Sequence, residues 1–166
     1  GNWQPEISME GKFQVFSWNL TDLPAIAAEE SQQGNNECYP RLIFSTTDNH
    51  GEVYSFLTRQ PAFRFAVSEQ MRNEVNKVMA DKKDKFELAL KLQEKVVSDL
   101  RLYPIPLRTA SFQCRTPEQT WNSNGGTPVE KAVLLTALLK SAGMDAQVVA
   151  IVRMAFADEK IATLAN

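Results

Sequence analysis

The sequence predicts an α+β fold, in which a β-rich N-terminal segment precedes a mainly helical part. Residues 1–62 contain short alternating runs of aromatic and β-branched residues, separated by polar turn residues, as strands do. From residue 63 onward, apolar residues recur at helical spacing. Two Thr-Pro strings, which begin at Thr116 and Thr127, mark further helix starts. We therefore divide the chain into a β-rich segment, 1–62, and a second part, 63–166.

The composition of this chain of 166 residues is typical of a soluble globular protein, with 43% hydrophobic and 23% charged residues. Its net charge is −2, and both signs are interspersed, so the sequence predicts no nucleic-acid surface. No apolar run is long enough to span a membrane. One histidine and two distant cysteines lack the spacing of metal ligands, so we expect neither a metal nor another cofactor.

The N-terminal segment contains three runs that are typical of strands. Residues 12–20 (KFQVFSWNL) predict the first strand, and the more polar residues 1–10 predict a loose lead-in. The runs 41–45 (RLIFS) and 52–57 (EVYSFL) flank the turn-forming residues 46–51 (TTDNHG). This arrangement predicts a β-hairpin.

The second part begins with two predicted helices. The apolar residues of 68–80 form one stripe at helical spacing, and those of 85–100 form another. Asp84 can cap the second helix. Pro104 and Pro106 then favour extended chain.

The stretch 121–153 organises the rest of the second part. The Gly-Gly pair at 125–126 predicts a break in the chain and allows positive φ. Thr127 offers an N-cap hydroxyl, Pro128 occupies the first helical position, and Glu130 occupies the third. This pattern predicts a helix that begins with a capping box.

The same stretch also predicts how that helix ends. Leucine and valine residues over 133–139 give it a wide apolar face, and Gly143 is the expected C′ residue. Residues 146–153 then alternate small and β-branched residues, which predicts an interior strand.

The string GGTPVEKAVLLTALLKSAGMDAQVV, residues 125–149, resembles the bacterial transglutaminase-like, papain-type cysteine-enzyme core. In that family the usual string is Gly-Asp-Cys, two or three variable residues and an Ala, followed by a Leu-rich helix. Aligning Ala132 with the family's Ala places Thr127 at the usual Asp and Pro128 at the nucleophilic Cys. The resemblance implies that the second part of the chain is the helical half of a papain-like transglutaminase core, incomplete at its C-terminus.

The N-terminal segment resembles the β-rich domain of unknown function that often precedes this core. The resemblance rests on Trp18, on 23–26 (LPAI), on the acidic pair 29–30, and on 40–45 (PRLIFS). It implies that the chain begins inside that preceding domain, or at its last strands.

Catalysis of the papain type needs a thiol, a histidine and a group that orients the histidine. Pro128 has neither a thiol nor a backbone N–H, and no histidine follows it in this chain. The chain's one histidine, His50, belongs to a predicted turn ahead of all the predicted helices. We therefore expect no catalytic residue, and a non-catalytic domain that acts as a binding or structural module within a larger protein.

The residues around Pro128 are the candidates for lining a retained cleft. They are Trp121, Asn122, Asn124, Gly126 and Thr127. Their partner would be a peptide, a protein or a glycan, since exposed Trp and Asn side chains suit such contacts. The alternative role for Trp121 is packing in the core.

An enzyme is the alternative function: a cysteine peptidase or protein-glutamine acyltransferase, completed by residues outside this chain. Cys114 is its candidate reactive thiol, because Arg115 beside it can lower its pKa. The alternatives for Cys114 are an inert, half-buried thiol and a disulfide with Cys38. The resembling family is often exported, which implies a periplasmic or cell-surface location, although this chain shows no signal peptide.

Overall fold

A computed structural model describes residues 4–23, 47, 49–81 and 84–149. The chain separates into two compact units, Gly1–Arg41 and Leu42–Asn166, and each is described by itself. The α+β class is confirmed, because strands come first along the described chain and helices follow. The division that we placed between residues 62 and 63 stays a prediction.

The first unit contains an antiparallel hairpin of β1 (Glu6–Glu10) and β2 (Phe13–Ser17). The strand predicted over 12–20 is confirmed as β2, but the loose lead-in predicted over 1–10 is wrong, because β1 lies there. In β1, Ile7 and Met9 alternate with polar residues, and Ile7 pairs with Phe16 of β2. The backbone hydrogen bonds that order β1 come from β2, across a turn in which Gly11 has a φ of 61°.

The second unit is mainly helical. Its longer helices are α1 (His50–Thr58), α2 (Glu69–Asp81), α3 (Lys85–Glu94), α4 (Pro117–Asn122) and α5 (Pro128–Ser141). Two very short strands, β3 (Arg101–Leu102) and β4 (Gly125–Gly126), pair in parallel. Short 3₁₀ turns cover Pro61–Arg64 and Leu107–Ala110, and a π-helical turn, Lys95–Asp99, follows α3. Among the described helices, none is both long and apolar enough to cross a membrane.

Residues 52–57 lie in helix α1, so the prediction of a strand over 52–57 is wrong. The Asn49 side chain caps the helix by accepting a hydrogen bond of 2.8 Å from the Gly51 N–H. Thr47 adds a second local contact, since its hydroxyl donates to Glu52 at 2.8 Å. These polar contacts begin a helix in a run whose aromatic and β-branched residues favour strands. The partner strand predicted over 41–45 lies outside the described residues.

The two predicted helices of the second part are confirmed as α2 and α3. Asp84 caps α3 as expected, because its carboxylate accepts hydrogen bonds from the N–H groups of Phe86 and Glu87. After α3, Lys131 of α5 donates to the carbonyls of Val97 and Leu100, at 3.2 and 2.8 Å. Lys131 thus satisfies carbonyls that the end of a helix leaves without intrahelical partners.

Helix α5 ends as its sequence predicts. Gly143 has a φ of 76°, and the Met144 N–H bonds back to the Leu139 carbonyl at 3.0 Å, which closes a Schellman-type turn. The strand predicted over 146–153 is not seen in its described part, because residues 144–149 have no regular secondary structure. Residues 150–153 lie outside the described residues.

The main core of the second unit lies between α2, α3 and α5. Its buried members are Met71, Val75, Leu88, Leu92, Val96, Leu100, Leu134 and Leu138. A smaller buried cluster brings Ala62, Cys114 and Val133 together. Helix α5 contributes to both clusters, which explains its wide apolar face.

The position of α5 between two clusters makes Leu134 a sensitive site. We expect Leu134→Ala to lower the free energy of unfolding by about 2–5 kcal/mol, because the truncated side chain leaves a cavity. Leu90→Ala is the matched control, because Leu90 is 47% exposed. Urea unfolding of both variants measures the effect, and equal losses would contradict the assigned core.

Candidate functional site

The candidate site lies at the N-terminus of α5, where the resemblance places the family's nucleophile. Thr127 accepts a hydrogen bond of 3.3 Å from the Glu130 N–H, and the Glu130 carboxylate accepts one of 2.9 Å from the Thr127 N–H. The predicted capping box is therefore present, with Pro128 at the first helical position. Both bonds use atoms of the chain itself.

Glu130 also binds Arg115 from the loop ahead of α4. The guanidinium makes a two-pronged contact with the carboxylate: Nε to Oε1 and Nη2 to Oε2, both at 2.8 Å. The backbone N–H of Arg115 adds a third bond, of 3.1 Å, to Oε1. Two-pronged Arg–carboxylate pairs are stronger and more directional than single contacts. Glu130 is only 5% exposed, so this pair fixes the loop against the start of α5.

Arg115 has further partners in the segment between α4 and α5. It donates to the Ser123 hydroxyl and to the Gly125 carbonyl, both at 2.9 Å. Its guanidinium also lies 5.9 Å from the centre of the Tyr103 ring, within range of a cation–π contact. Arg115 therefore joins α5, β4 and the segment after β3 at one point.

The Gly-Gly pair forms the two-residue strand β4, where the sequence predicted a break in the chain. Gly125 and Gly126 do not have positive φ; the residue that does is Asn124, with a φ of 49°. The glycines are needed because neighbours approach closely. A Cβ at Gly125 would lie 2.8 Å from both the Arg101 carbonyl and the Tyr103 hydroxyl. At Gly126 it would lie 2.7 Å from a methyl carbon of Thr120.

A cavity of about 510 Å³ opens beside the capping box. Its lining residues come from the segment after β3, from the loop ahead of α4, and from the starts of α4 and α5. They are Tyr103, Ile105, Ala110, Gln113, Cys114, Arg115, Gln119, Thr127 and Glu130.

The loop that walls this cavity has a defined shape. Ser111 and Phe112 are non-glycine residues with φ values of 50° and 57°, a conformation that costs roughly 1–2 kcal/mol per residue. Gln60 stabilises this loop. Its side-chain amide donates to the Phe112 carbonyl at 2.8 Å and accepts from the Cys114 N–H at 2.9 Å. The loop is therefore fastened by Gln60 at Phe112 and Cys114, and by the bonds of Arg115 to Glu130.

The pKa values of the ion pair follow from these contacts. Burial alone raises the pKa of Glu130, but hydrogen bonds from Arg115 and Thr127 outweigh it and lower that pKa to about 2. The hydrogen bond to Glu130 raises the pKa of Arg115 above its ordinary value. Both groups are thus fully charged over the physiological range, and each neutralises the other.

Cys114 is a free, buried thiol, and its surroundings oppose ionisation. Burial raises its pKa most, the negative charge of Glu130 raises it further, and Arg115 lowers it by less, so the pKa reaches about 11. Arg115 lowers the pKa of Cys114 as the sequence predicted, but burial and the charge of Glu130 raise that pKa by more. Cys38 lies outside the described residues.

One of the predicted cleft residues, Thr127, lines the cavity, and so does the candidate thiol Cys114. The other cleft candidates are not among its lining residues: Trp121, Asn122, Asn124 and Gly126. Trp121 is half-buried and packs against the main core, and Lys95 lies 5.8 Å from its ring centre.

The remaining candidates lie around the turn into α5. Asn122 and Asn124 are exposed, and Gly126 is buried in β4. Pro128 is exposed at the first position of α5. His50 is the first residue of α1 rather than a turn residue.

The sequence reasoning missed the charged centre of the site. It assigned Glu130 to the capping box and treated Arg115 as a neighbour that lowers the pKa of Cys114. Glu130 and Arg115 are 15 residues apart in the sequence, and their contact was not predicted. No local pattern signals such a pair. The described residues contain no group of three or more His, Cys, Asp or Glu side chains that could hold a metal ion.

Among solved structures, the chain is similar to a putative protease from Parabacteroides distasonis ATCC 8503. The TM-score is 0.70 and the identity 21%; the match covers 86% of this chain and 28% of that one. At this identity the similarity shows the fold alone. The chain therefore shares the fold of the part of that neighbour that it matches, and it spans less than a third of the neighbour's length. No protein-family model and no curated protein matches it.

Glu130 makes stability depend on pH in a defined window. Its pKa falls from 4.5 to about 2 on folding, so its contribution is present above pH 4.5 and is lost as the pH falls towards 2. We expect Glu130→Gln to lower the free energy of unfolding at neutral pH by on the order of 2–3 kcal/mol. The deficit should shrink below pH 4.5, as urea unfolding at several pH values would measure.

Glu118→Gln is the matched control, since Glu118 is exposed in the first turn of α4 and contacts no cation in the described part of the chain. It should change the stability little at any pH. A Glu130→Gln deficit that stays constant down to about pH 2 would contradict the assigned charge state.

Proposed function

We propose that this chain is a transglutaminase-like, papain-type domain that has no catalytic role and acts as a binding or structural module within a larger protein. The resemblance of residues 125–149 to the cysteine-enzyme core supports the family assignment. The similarity of its fold to that of a putative protease agrees with it. The chain matches only 28% of its structural neighbour, which supports the proposal that it is one module of a larger protein.

One observation carries the proposal: the start of α5 is closed by groups of the chain itself. In a papain-type enzyme, the helix N-terminus lowers the pKa of a cysteine placed there. Here Pro128 occupies that place and brings no thiol, while Thr127 and Glu130 cap the helix. Arg115 then holds the Glu130 carboxylate in position. This arrangement stabilises the fold at the point where an enzyme would need a nucleophile.

Cys114 does not replace the missing nucleophile. A cysteine enzyme acts through a thiolate, which requires a lowered pKa and access to substrate. Cys114 is 9% exposed and has a pKa of about 11, so almost none of it is ionised at neutral pH.

We propose a peptide, protein or glycan as the partner of the module and a periplasmic or cell-surface location for the protein. Thr127 is the candidate cleft residue that both belongs to the capping box and lines the cavity. The location rests on the resemblance to a family that is often exported.

Alkylation of Cys114 tests the absence of a reactive thiol. We expect iodoacetamide to modify Cys114 in the folded protein more slowly than free cysteine, with a rate that still rises at about pH 9, because burial and Glu130 oppose the thiolate. Mass spectrometry of peptides quenched at intervals measures the rate.

Pro128→Cys supplies the positive control, because position 128 is exposed at the first turn of α5. Its thiol should react much faster than Cys114 in the same sample. If Cys114 instead reacts with an apparent pKa well below that of free cysteine, the non-catalytic reading is wrong. The non-catalytic proposal would also be wrong if the protein turned over a peptide substrate and Cys114→Ser abolished that turnover.

A further inference from the structure

The cavity beside the capping box has the size of a ligand pocket. Its volume of about 510 Å³ falls within the roughly 300–1,000 Å³ that is usual for small-ligand sites. Gln60 and Arg115 fasten its wall, and that wall contains the strained residues Ser111 and Phe112. Because the wall is already held in one shape, a ligand that binds there loses less free energy to ordering the loop.

The charges that border the cavity cancel. Arg115 and Glu130 are its charged lining residues, and they form a two-pronged pair. Four of the five guanidinium N–H groups are directed at protein acceptors: two at Glu130, one at Ser123 and one at Gly125. A charged ligand would lose its hydration without finding an unbalanced opposite charge. The cavity therefore favours an uncharged ligand.

Polar groups with unused hydrogen-bonding capacity also border the cavity. The Gln113 amide and the Tyr103 hydroxyl make no hydrogen bond within the part of the chain that the structure describes. Gln119 uses its carbonyl oxygen in the capping box of α4, which leaves its NH₂ group to donate. Amides and hydroxyls that can both donate and accept match the N–H and C=O groups of a peptide.

The apolar lining favours a peptide over a sugar. Sugars bind well against open aromatic faces, but the guanidinium of Arg115 lies over the Tyr103 ring, 5.9 Å from its centre. Ile105 and Ala110 instead offer a small apolar surface, and Ile105 is 44% exposed. Such a surface suits a short aliphatic side chain.

We propose that this cavity binds an uncharged peptide segment, and that Glu130 sets this preference by neutralising Arg115. Gln113 and Tyr103 bind the backbone amides, and Ile105 contacts a small apolar side chain. The inference rests on the proposed binding role and specifies the chemistry of its ligand.

Titration with small probes, monitored by the backbone amide resonances of the ¹⁵N-labelled full chain, tests the inference. The probes are N-acetyl-alanyl-alanine amide, its free acid N-acetyl-alanyl-alanine, and N-acetylglucosamine. We expect the uncharged dipeptide to shift the amides of residues 113–115 and to bind roughly tenfold more tightly than the free acid. N-acetylglucosamine should leave these amides unshifted.

Two variants identify the groups responsible. Gln113→Ala should weaken binding of the uncharged dipeptide by roughly tenfold, whereas Gln70→Ala, an exposed glutamine of α2, should leave it unchanged. Glu130→Gln should reverse the preference, because the positive charge of Arg115 is then no longer neutralised and attracts the free acid. Gln113 is exposed, so its variant still tests the site if Glu130→Gln fails to fold.

Three results would overturn the inference: no shift of residues 113–115 with the uncharged dipeptide, binding of the free acid at least as tight as that of the amide, or tighter binding of the sugar. In each of these cases, the non-catalytic proposal would still hold as long as Cys114 is unreactive. Cleavage of the dipeptide, or a reactive Cys114, would instead overturn the proposed function itself.

Discussion

The second unit depends on the ion pair between Arg115 and Glu130. The carboxylate is buried at the first turn of α5, and a buried charge needs an opposite charge and hydrogen bonds around it. Arg115 supplies both and also binds the segment that carries β4. One interaction therefore sets the start of a core helix, the position of two glycines and the wall of a cavity. The hydrogen bonds that Arg115 and Thr127 donate to this carboxylate also lower the pKa of Glu130.

Under the proposed non-catalytic function, the same pair is what distinguishes this site from a cysteine-enzyme site. An enzyme keeps its helix N-terminus available, so that its field and N–H groups act on a thiolate or an oxyanion. Here the capping box of Thr127 and Glu130 occupies that end, and Pro128 removes one N–H. The thiol nearest the site, Cys114, has a raised pKa, partly because of the charge of Glu130. The features that stabilise the fold are thus the features that oppose thiolate chemistry.

Local signals account for the parts of the fold that the sequence predicted well. The capping box at Thr127, the cap at Asp84 and the αL turn at Gly143 each involve residues a few positions apart. Helix α1 was mistaken for a strand because its aromatic and β-branched residues outweighed the cap that precedes it. The site was predicted least well, since Arg115 and the cavity depend on contacts between distant segments. A Gly-Gly pair also does not reveal whether it is needed for positive φ or for close approach.

A double-mutant cycle on Arg115 and Glu130 tests the central interaction most directly. The free energy of unfolding would be measured for the wild type, Arg115→Gln, Glu130→Gln and the double variant at neutral pH. We expect a coupling energy of at least ~1.5 kcal/mol, because each single change leaves its partner charge unpaired. The double variant should therefore lose less than the sum of the two single losses. A coupling energy near zero would contradict this account, since the two side chains would then stabilise the fold independently.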